Sequence, residues 1–411
     1  MHPWFNLFIY VVWFLSTYFM VFFILSVLVH RKEVFQRKKA NMGKPPVTFI
    51  IPAFNEEKDI AATIRSLKRV TYNNAEFVIV NDGSSDRTSS IVNKCIRGDT
   101  RFTFIDNEKN QGKSLSLNQG IDSAKGEFVA CMDADSIVEK NIIEKVLPYF
   151  EDPDVGATTV SVEVNNPKNF LNKVIELEFT IGLSLFLKIF SFFDCVFVTP
   201  GPFSMYRKKM LQDIGGFDPE NITEDYEIAF RIHKAGYKIK NCIEAKVYTN
   251  LPEDFRGTYI QRRRWYSGSI QTIFQHKDMW FNPKYGLFGF FIPYNFLLIF
   301  LGIGVFLGSS YLGISRFIRE SWYYSYTGFN FFEHIELWNF DILRFGTVNV
   351  LALTMISATI ILMLIGLHYT RKRYRTRKLG MLGYPLLFFL YQIFWGGAIW
   401  AVIRGRKIKW R

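Results

Sequence analysis

The chain has 411 residues, is 49% hydrophobic and carries a formal net charge of +13. That length and apolar content allow one large domain with a good core plus membrane spans. The basic excess is confined to Arg31 to Lys44, Arg371 to Lys378 and Arg404 to Arg411; no Lys/Arg stripe crosses the middle, which excludes a nucleic-acid partner and suits anionic lipid headgroups.

Residues 3–29 lack charge and are long enough to span a bilayer. No basic residue precedes them and no small-residue cleavage site follows, so residues 1–30 read as a permanent anchor. The basic block after residue 30 predicts a cytoplasmic domain. Val47 to Phe54 is a continuous apolar run, as expected of a strand covered on both faces. A helix is expected from Glu56 to Lys68, strands at Phe77–Val80 and Phe102–Ile105, a helix from Lys113 to Lys125, and a strand at Phe128–Met132. This βαβα order predicts a parallel sheet with ligands at the carboxyl ends of its strands.

Leu171 to Phe193 is an apolar stretch broken by Glu176, Glu178, Lys188 and Asp194. It reads as a core helix or a helix in the membrane interface, with the run of Phe at its end favouring the interface. Beyond Pro283, residues 285–315, 345–367 and 379–403 lack charge and predict three spans, with an aromatic loop around Trp322–Tyr324. Three spans put the basic tail, 404–411, outside, against the positive-inside tendency; a re-entrant or interfacial 379–403 resolves this. Cys95, Cys131, Cys195 and Cys242 form no CxxC pair, which disfavours a zinc site and fits a reduced, cytosolic middle domain.

Several charged residues fall just past expected strand ends. Asp133-Ala134-Asp135 places two carboxylates where they can hold a hard divalent cation, Mg2+ or Mn2+, although acidic pairs also serve as caps and turns. Asp82 can accept a base N–H or a ribose hydroxyl, or belong to an Asp-Gly turn followed by Ser85 or Asp86 as a helix cap. Lys113 opens a helix, where it meets a diphosphate or lies in solvent. Asp225 can act as a general base; the alternative is that Thr223-Glu224-Asp225 merely caps the next helix. Gln261, Arg264 and Trp265 share one helix face, where Arg can grip a diphosphate and Trp can stack on a sugar. Arg262 and Arg263 read as interfacial anchors.

Pro52 to Glu56, Asn81 to Asp86, Asn110 to Lys113, Asp133 to Asp135, Gly201 to Arg207, Thr223 to Asp225 and Gln261 to Trp265 together resemble the processive family-2 glycosyltransferases, among them the hyaluronan, chitin, cellulose and poly-N-acetylglucosamine synthases. The overall plan is most similar to the bacterial poly-β-1,6-N-acetylglucosamine synthases.

The resemblance implies a GT-A type, Rossmann-like α/β domain (residues 45–283) inserted between transmembrane helices. It implies a multi-pass protein of the cell membrane with its catalytic domain cytoplasmic. Asn55, Glu56, Asp82, Lys113, Asp133, Gln261 and Arg264 would bind a UDP-sugar. Asp135, with Asp133, would hold the metal. Asp225 would be the base of an inverting transfer, and Gly201, Glu224 and Trp265 would meet the acceptor. That acceptor is a growing polysaccharide or, in a second reading, a lipid taking one sugar. A non-catalytic scaffold on the same fold would not need all four of Asp82, Asp133, Asp135 and Asp225. RxxxR spacing at Arg371 and Arg375 resembles cyclic-dinucleotide sites, but reads here as a positive-inside signal.

Overall fold

The computed structural model describes residues 3–34, 43–165, 167–327, 347–370 and 378–405. Most of the first basic block, residues 371–377 and residues 406–411 lie outside the described residues. In chain order the elements are α1 (Pro3–Val29), β1 (Val47–Ala53), α2 (Ile60–Lys68), β2 (Ala75–Asp82), α3 (Thr88–Ile96), β3 (Phe102–Asn107), α4 (Lys113–Ser123), β4 (Phe128–Cys131), β5 (Ile137–Val138), α5 (Ile142–Val146), β6 (Val155–Val164), α6 (Phe170–Phe179), α7 (Leu187–Phe192), β7 (Ser204–Arg207), α8 (Lys208–Asp213), α9 (Glu224–Lys234), β8 (Lys238–Thr249), α10 (Phe255–Gln275) and α11 (Phe288–Thr327). Helices Thr347–Tyr369 and Lys378–Ile403 follow. They divide into two units: residues 1–29 with 292–362, and residues 30–291 with those after 362.

The larger unit is built on one eight-stranded sheet in the order β3-β2-β1-β4-β7-β6-β8-β5. Its first four strands are parallel, as the alternation predicts. Every residue of β1 and β4 is buried, because helices cover both faces. From β7 onward the sheet is mixed: β7 runs antiparallel to β4 and β6, β8 parallel to β6, and β5 antiparallel to β8. Aromatic rings knit the core: Phe49 lies 5.2 Å from Phe77 and 6.0 Å from Phe203, and Phe128 lies 4.8 Å from Phe150.

Three expectations change. Helix α2 starts at Ile60, not Glu56. Asn55 has φ of 56°, and the backbone N–H groups of Glu56 and Glu57 are bound to Thr88 Oγ1 and Asp86 Oδ2. Side chains thus cap these donors, while the Glu56 carbonyl accepts the Asp59 and Ile60 N–H groups at 3.1 and 3.0 Å, so Glu56–Asp59 is a capped entry turn leading into the helix. Leu171–Phe193 is a core helix, not an interfacial one. Its middle turns, Thr180–Phe186, widen to a π-helix, and Leu177, Leu185, Leu187 and Ile189 are fully buried. The charge of Lys188 is met internally, by Tyr149 Oη at 3.2 Å and the Asn241 carbonyl at 3.1 Å. Trp322 and Tyr323 lie within α11, not in a loop.

Among the described residues, Trp4–Val29 and Phe288–Tyr323 are long and apolar enough to cross a membrane, and Lys378–Ile403 makes a third if its 44° bend lies within one span. Helix Thr347–Tyr369 covers most of the expected 345–367, and its part Leu353–Tyr369 is apolar. In the smaller unit, Tyr294 Oη donates to the Leu15 carbonyl at 3.1 Å, pinning α11 to α1.

Helix α4 sits close on β1 because Gly120 faces Ile50: a Cβ there would overlap the Ile50 side chain. Gly120→Ala is expected to destabilise the protein by about 1–3 kcal/mol through overpacking, read as a lowered thermal midpoint in detergent.

Candidate active site

The carboxyl ends of the parallel strands deliver the acidic residues to one place. Asp82, the last residue of β2, is 2% exposed, and its two oxygens accept the backbone N–H groups of Gln111 (2.9 Å) and Gly112 (2.8 Å). It thereby fixes the loop that launches α4, whose first residue is Lys113. The Lys113 side chain is buried, and its Nζ lies 2.6 Å from both Asp133 Oδ1 and Glu224 Oε1. The solvent-lysine alternative is therefore wrong. Despite the cost of burial, the two carboxylates hold Lys113 charged far above its usual range. Against its own burial, Glu224 is held below the ordinary carboxylate range by Lys113 and Arg264.

Asp225 follows Glu224 in the first turn of α9. Burial, then the Glu224 carboxylate, push it up to about 6. Thr223 stands at the N-cap, but its side chain does not cap the helix; its hydroxyl goes to Asn221 Oδ1 at 3.3 Å. Three acidic residues in that turn face the helix dipole instead. Asp86, in contrast, does act as a local cap, accepting the Thr88 N–H at 2.9 Å.

Asp135 is pushed up to about 7 by burial and then by Asp133. Two carboxylates this close hold more negative charge than their surroundings relieve, which fits a bound cation. Among the described residues no group of three or more His, Cys, Asp or Glu is arranged to cage a metal. A cation carried in by a diphosphate needs only one or two protein carboxylates, which Asp133 and Asp135 could supply. Gly201 packs directly on Asp133 and Lys113: a Cβ there would meet Asp133 Oδ2 at 2.8 Å and Lys113 Nζ at 3.0 Å.

All of this opens on a cavity of about 1320 Å³ within the larger unit. It is lined by Glu56, Lys113, Asp133, Asp135, Gly201, Glu224 and Asp225 on one side and by Gln261, Arg264 and Trp265 of α10 on the other. Tyr384, Tyr391 and Trp400 of the C-terminal helix line it too. Asn55 and Asp82 do not: Asn55 is exposed and accepts the Ser85 N–H at 2.9 Å, and Asp82 is spent on the 111–112 backbone.

Arg262 is not an interfacial anchor. It is 3% exposed, paired with Glu178 Oε2 at 2.8 Å, and its guanidinium lies 4.4 Å over the Trp265 ring. One face of Trp265 is thus covered from within the protein. Arg263 is half-buried and lies 5.7 Å over Tyr259. Sequence reasoning also missed Asp59, which lines the cavity and accepts from Asn250 Nδ2 at 3.0 Å. Glu178 was visible as one of the few charges in an apolar run, and a buried charge there calls for a partner.

Residues 48–215 match the family model Glycosyl transferase family 2. The match ends before α9 and α10. The poly-β-1,6-N-acetyl-D-glucosamine synthase of Staphylococcus aureus is 32% identical over 228 residues, 55% of this chain and 55% of that protein. The chain thus aligns with about half the length of that relative. The Staphylococcus epidermidis protein of the same name is 29% identical over 285 residues, 68% of each chain. A solved mannosyltransferase of Pyrobaculum calidifontis, in complex with GDP-mannose and Mn2+, superposes with a TM-score of 0.57 at 18% identity, covering 85% of this chain and 98% of that one. The domain has the GT-A fold and is similar to family-2 glycosyltransferases.

Removing Glu178 strands the Arg262 charge. Glu178→Ala is expected to cost about 3–5 kcal/mol of stability, whereas Glu178→Gln, which keeps a hydrogen-bond acceptor, should cost clearly less; thermal unfolding of the purified variants measures both.

Proposed function

We propose that the chain is a membrane-bound inverting glycosyltransferase. It moves a hexose or N-acetylhexosamine from a UDP-sugar to the end of a growing β-linked polysaccharide. The observation that carries this reading is the convergence of Asp133, Asp135 and Asp225 on one cavity closed by Gln261, Arg264 and Trp265. The likeness to the staphylococcal synthases supports a polysaccharide product. The apolar membrane helices and the basic block after residue 30 support a cytoplasmic catalytic unit that hands its product across the membrane.

Asp225 takes the proton of the acceptor hydroxyl. The freed oxygen attacks the anomeric carbon from the face opposite the nucleotide, the bond to the diphosphate breaks, and UDP leaves with both electrons of that bond. One displacement inverts the centre and requires no covalent enzyme intermediate. Asp133 and Asp135 would hold Mg2+ or Mn2+, which when bound supplies charge neutralisation for the diphosphate. Arg264 and Gln261 grip the nucleotide end, and Lys113 holds Asp133 and Glu224 in place. Gly201, by lacking a side chain, lets Asp133 and Lys113 pack against the backbone at the cavity wall. The free face of Trp265 stacks on the acceptor terminus. Ile181, Leu183, Phe186 and Leu187 give the cavity an apolar wall, which favours the second reading, one sugar passed to a lipid acceptor.

The full chain in detergent or liposomes, given a panel of UDP-sugars, should release UDP and build a polymer. Chelator should stop release and Mg2+ or Mn2+ restore it. A product limited to one sugar on lipid would replace the first reading by the second, and turnover in excess chelator would remove the metal from Asp133 and Asp135.

Asp225→Asn should bind donor normally yet lose roughly 10²-fold or more in turnover, because the amide takes no proton. The base works only deprotonated, so wild-type transfer should fall as pH drops through about 6 and level off above it. Wild-type turnover in the Asn variant, or a rate independent of pH between 5 and 7, would reject Asp225 as the base.

A further inference from the structure

Asp225 is held by more than its own helix. Thr199 donates to the Asp225 carbonyl oxygen twice, from its backbone N–H at 3.0 Å and from its Oγ1 at 2.9 Å. Two residues on, the Gly201 carbonyl accepts the Asp133 N–H at 3.0 Å. Thr199-Pro200-Gly201 is therefore a strap with Asp225 at one end and Asp133 at the other. The strap is itself pinned: the Pro200 carbonyl accepts the Phe203 N–H at 3.2 Å and the Ser204 hydroxyl at 3.0 Å. Thr199 and Ser204 are 1% exposed and Phe203 0%. Proline fixes its own φ, so three residues of this kind have little freedom to lengthen or twist.

The backbone N–H of Thr199 alone already ties the strap to α9, and any residue would supply it. The hydroxyl adds a second bond to the same oxygen, from a β-branched side chain whose rotamer is restricted. Two donors converging on one carbonyl fix direction as well as distance. Direction matters here because a direct displacement requires the acceptor oxygen, the anomeric carbon and the base to line up.

We infer that Thr199 is a positioning residue: its hydroxyl sets where Asp225 stands relative to the carboxylates that receive the donor. The inference rests on Asp225 being the base. Thr199 is buried and acts through the Asp225 backbone. Its loss should therefore lower the rate of transfer and leave donor binding alone.

The test is steady-state UDP release by the full chain in detergent, with whichever of UDP-N-acetylglucosamine and UDP-glucose the wild type turns over faster. Thr199→Val removes the hydroxyl at constant shape and should lower kcat by about 10- to 100-fold with donor KM within about twofold of wild type. Thr199→Ser restores the hydroxyl and should return kcat to within about threefold of wild type, the remainder reflecting the lost rotamer restriction. In an Asp225→Asn background, adding Thr199→Val should change nothing further, because no base is left to position. If the Val variant fails to fold, Thr199→Ala, which loses the hydroxyl without adding volume, carries the same expectation.

Wild-type kcat in the hydroxyl-free variants overturns the inference. A raised donor KM at unchanged kcat does so too, as does a Thr199→Val effect that multiplies undiminished through Asp225→Asn. The two readings fail separately. Turnover retained by Asp225→Asn removes the base itself, whereas an inactive Asn variant beside fully active Thr199 variants removes only the strap.

Discussion

The buried ammonium of Lys113 holds the acidic centre together. Asp133, Glu224 and Asp225 come from elements far apart in sequence, and each lone carboxylate in so poorly hydrated a place would repel the others. Lys113 sits 2.6 Å from two of them and so joins the parallel half of the sheet to the first turn of α9. The lysine is in turn aimed by Asp82, which grips the two backbone N–H groups just before it. One cation divides the labour among the carboxylates. Glu224 is kept ionised by it, and Asp225, next in sequence, is left with a raised affinity for a proton. The same backbone turn thus presents one permanent anion and one group able to exchange a proton near neutral pH.

A second buried pair organises the opposite wall. Glu178 of α6 and Arg262 of α10 meet beneath Trp265, and the guanidinium covers one side of the indole. Tyr266, on the next position, stacks on Trp395 of the C-terminal helix at 4.4 Å. The residue that lines the cavity and the residue that packs on the C-terminal helix are therefore successive positions of one helix. That arrangement makes the tilt of Trp265 depend on contacts from α6.

Much of this was legible in the sequence, where a local rule was enough. Strands β1 to β4 announced themselves as apolar runs, and Asp86 as a cap two residues ahead of its helix, whereas the mixed half of the sheet did not. The carboxylates fell past strand ends because a parallel sheet puts every loop of that polarity on one edge. What failed depended on partners remote in sequence. Lys113 looked equally suited to solvent because Glu224 lies over a hundred residues away. Arg262 looked like a membrane anchor because Glu178 belongs to another helix. Leu171–Phe193 looked interfacial because composition does not distinguish lipid from the inside of a protein. Helix α2 was placed early because the turn that enters it is capped by Thr88 and Asp86, which are remote in sequence. Asp82 kept its place, but its oxygens turned to the backbone rather than to the cavity.

The C-terminal helix Lys378–Ile403 packs on α6 and α10, and Gly397 lies so close to the Tyr259 hydroxyl that a Cβ would overlap it. Those partners leave the ribosome more than a hundred residues earlier. At ordinary elongation rates of about 5–20 residues per second, the sheet and its acidic centre have several seconds to form before this wall arrives. The order of synthesis therefore delays closure of the cavity until the last helix is made, so that a chain stalled or truncated before residue 378 carries the acidic centre but lacks one side of its cavity.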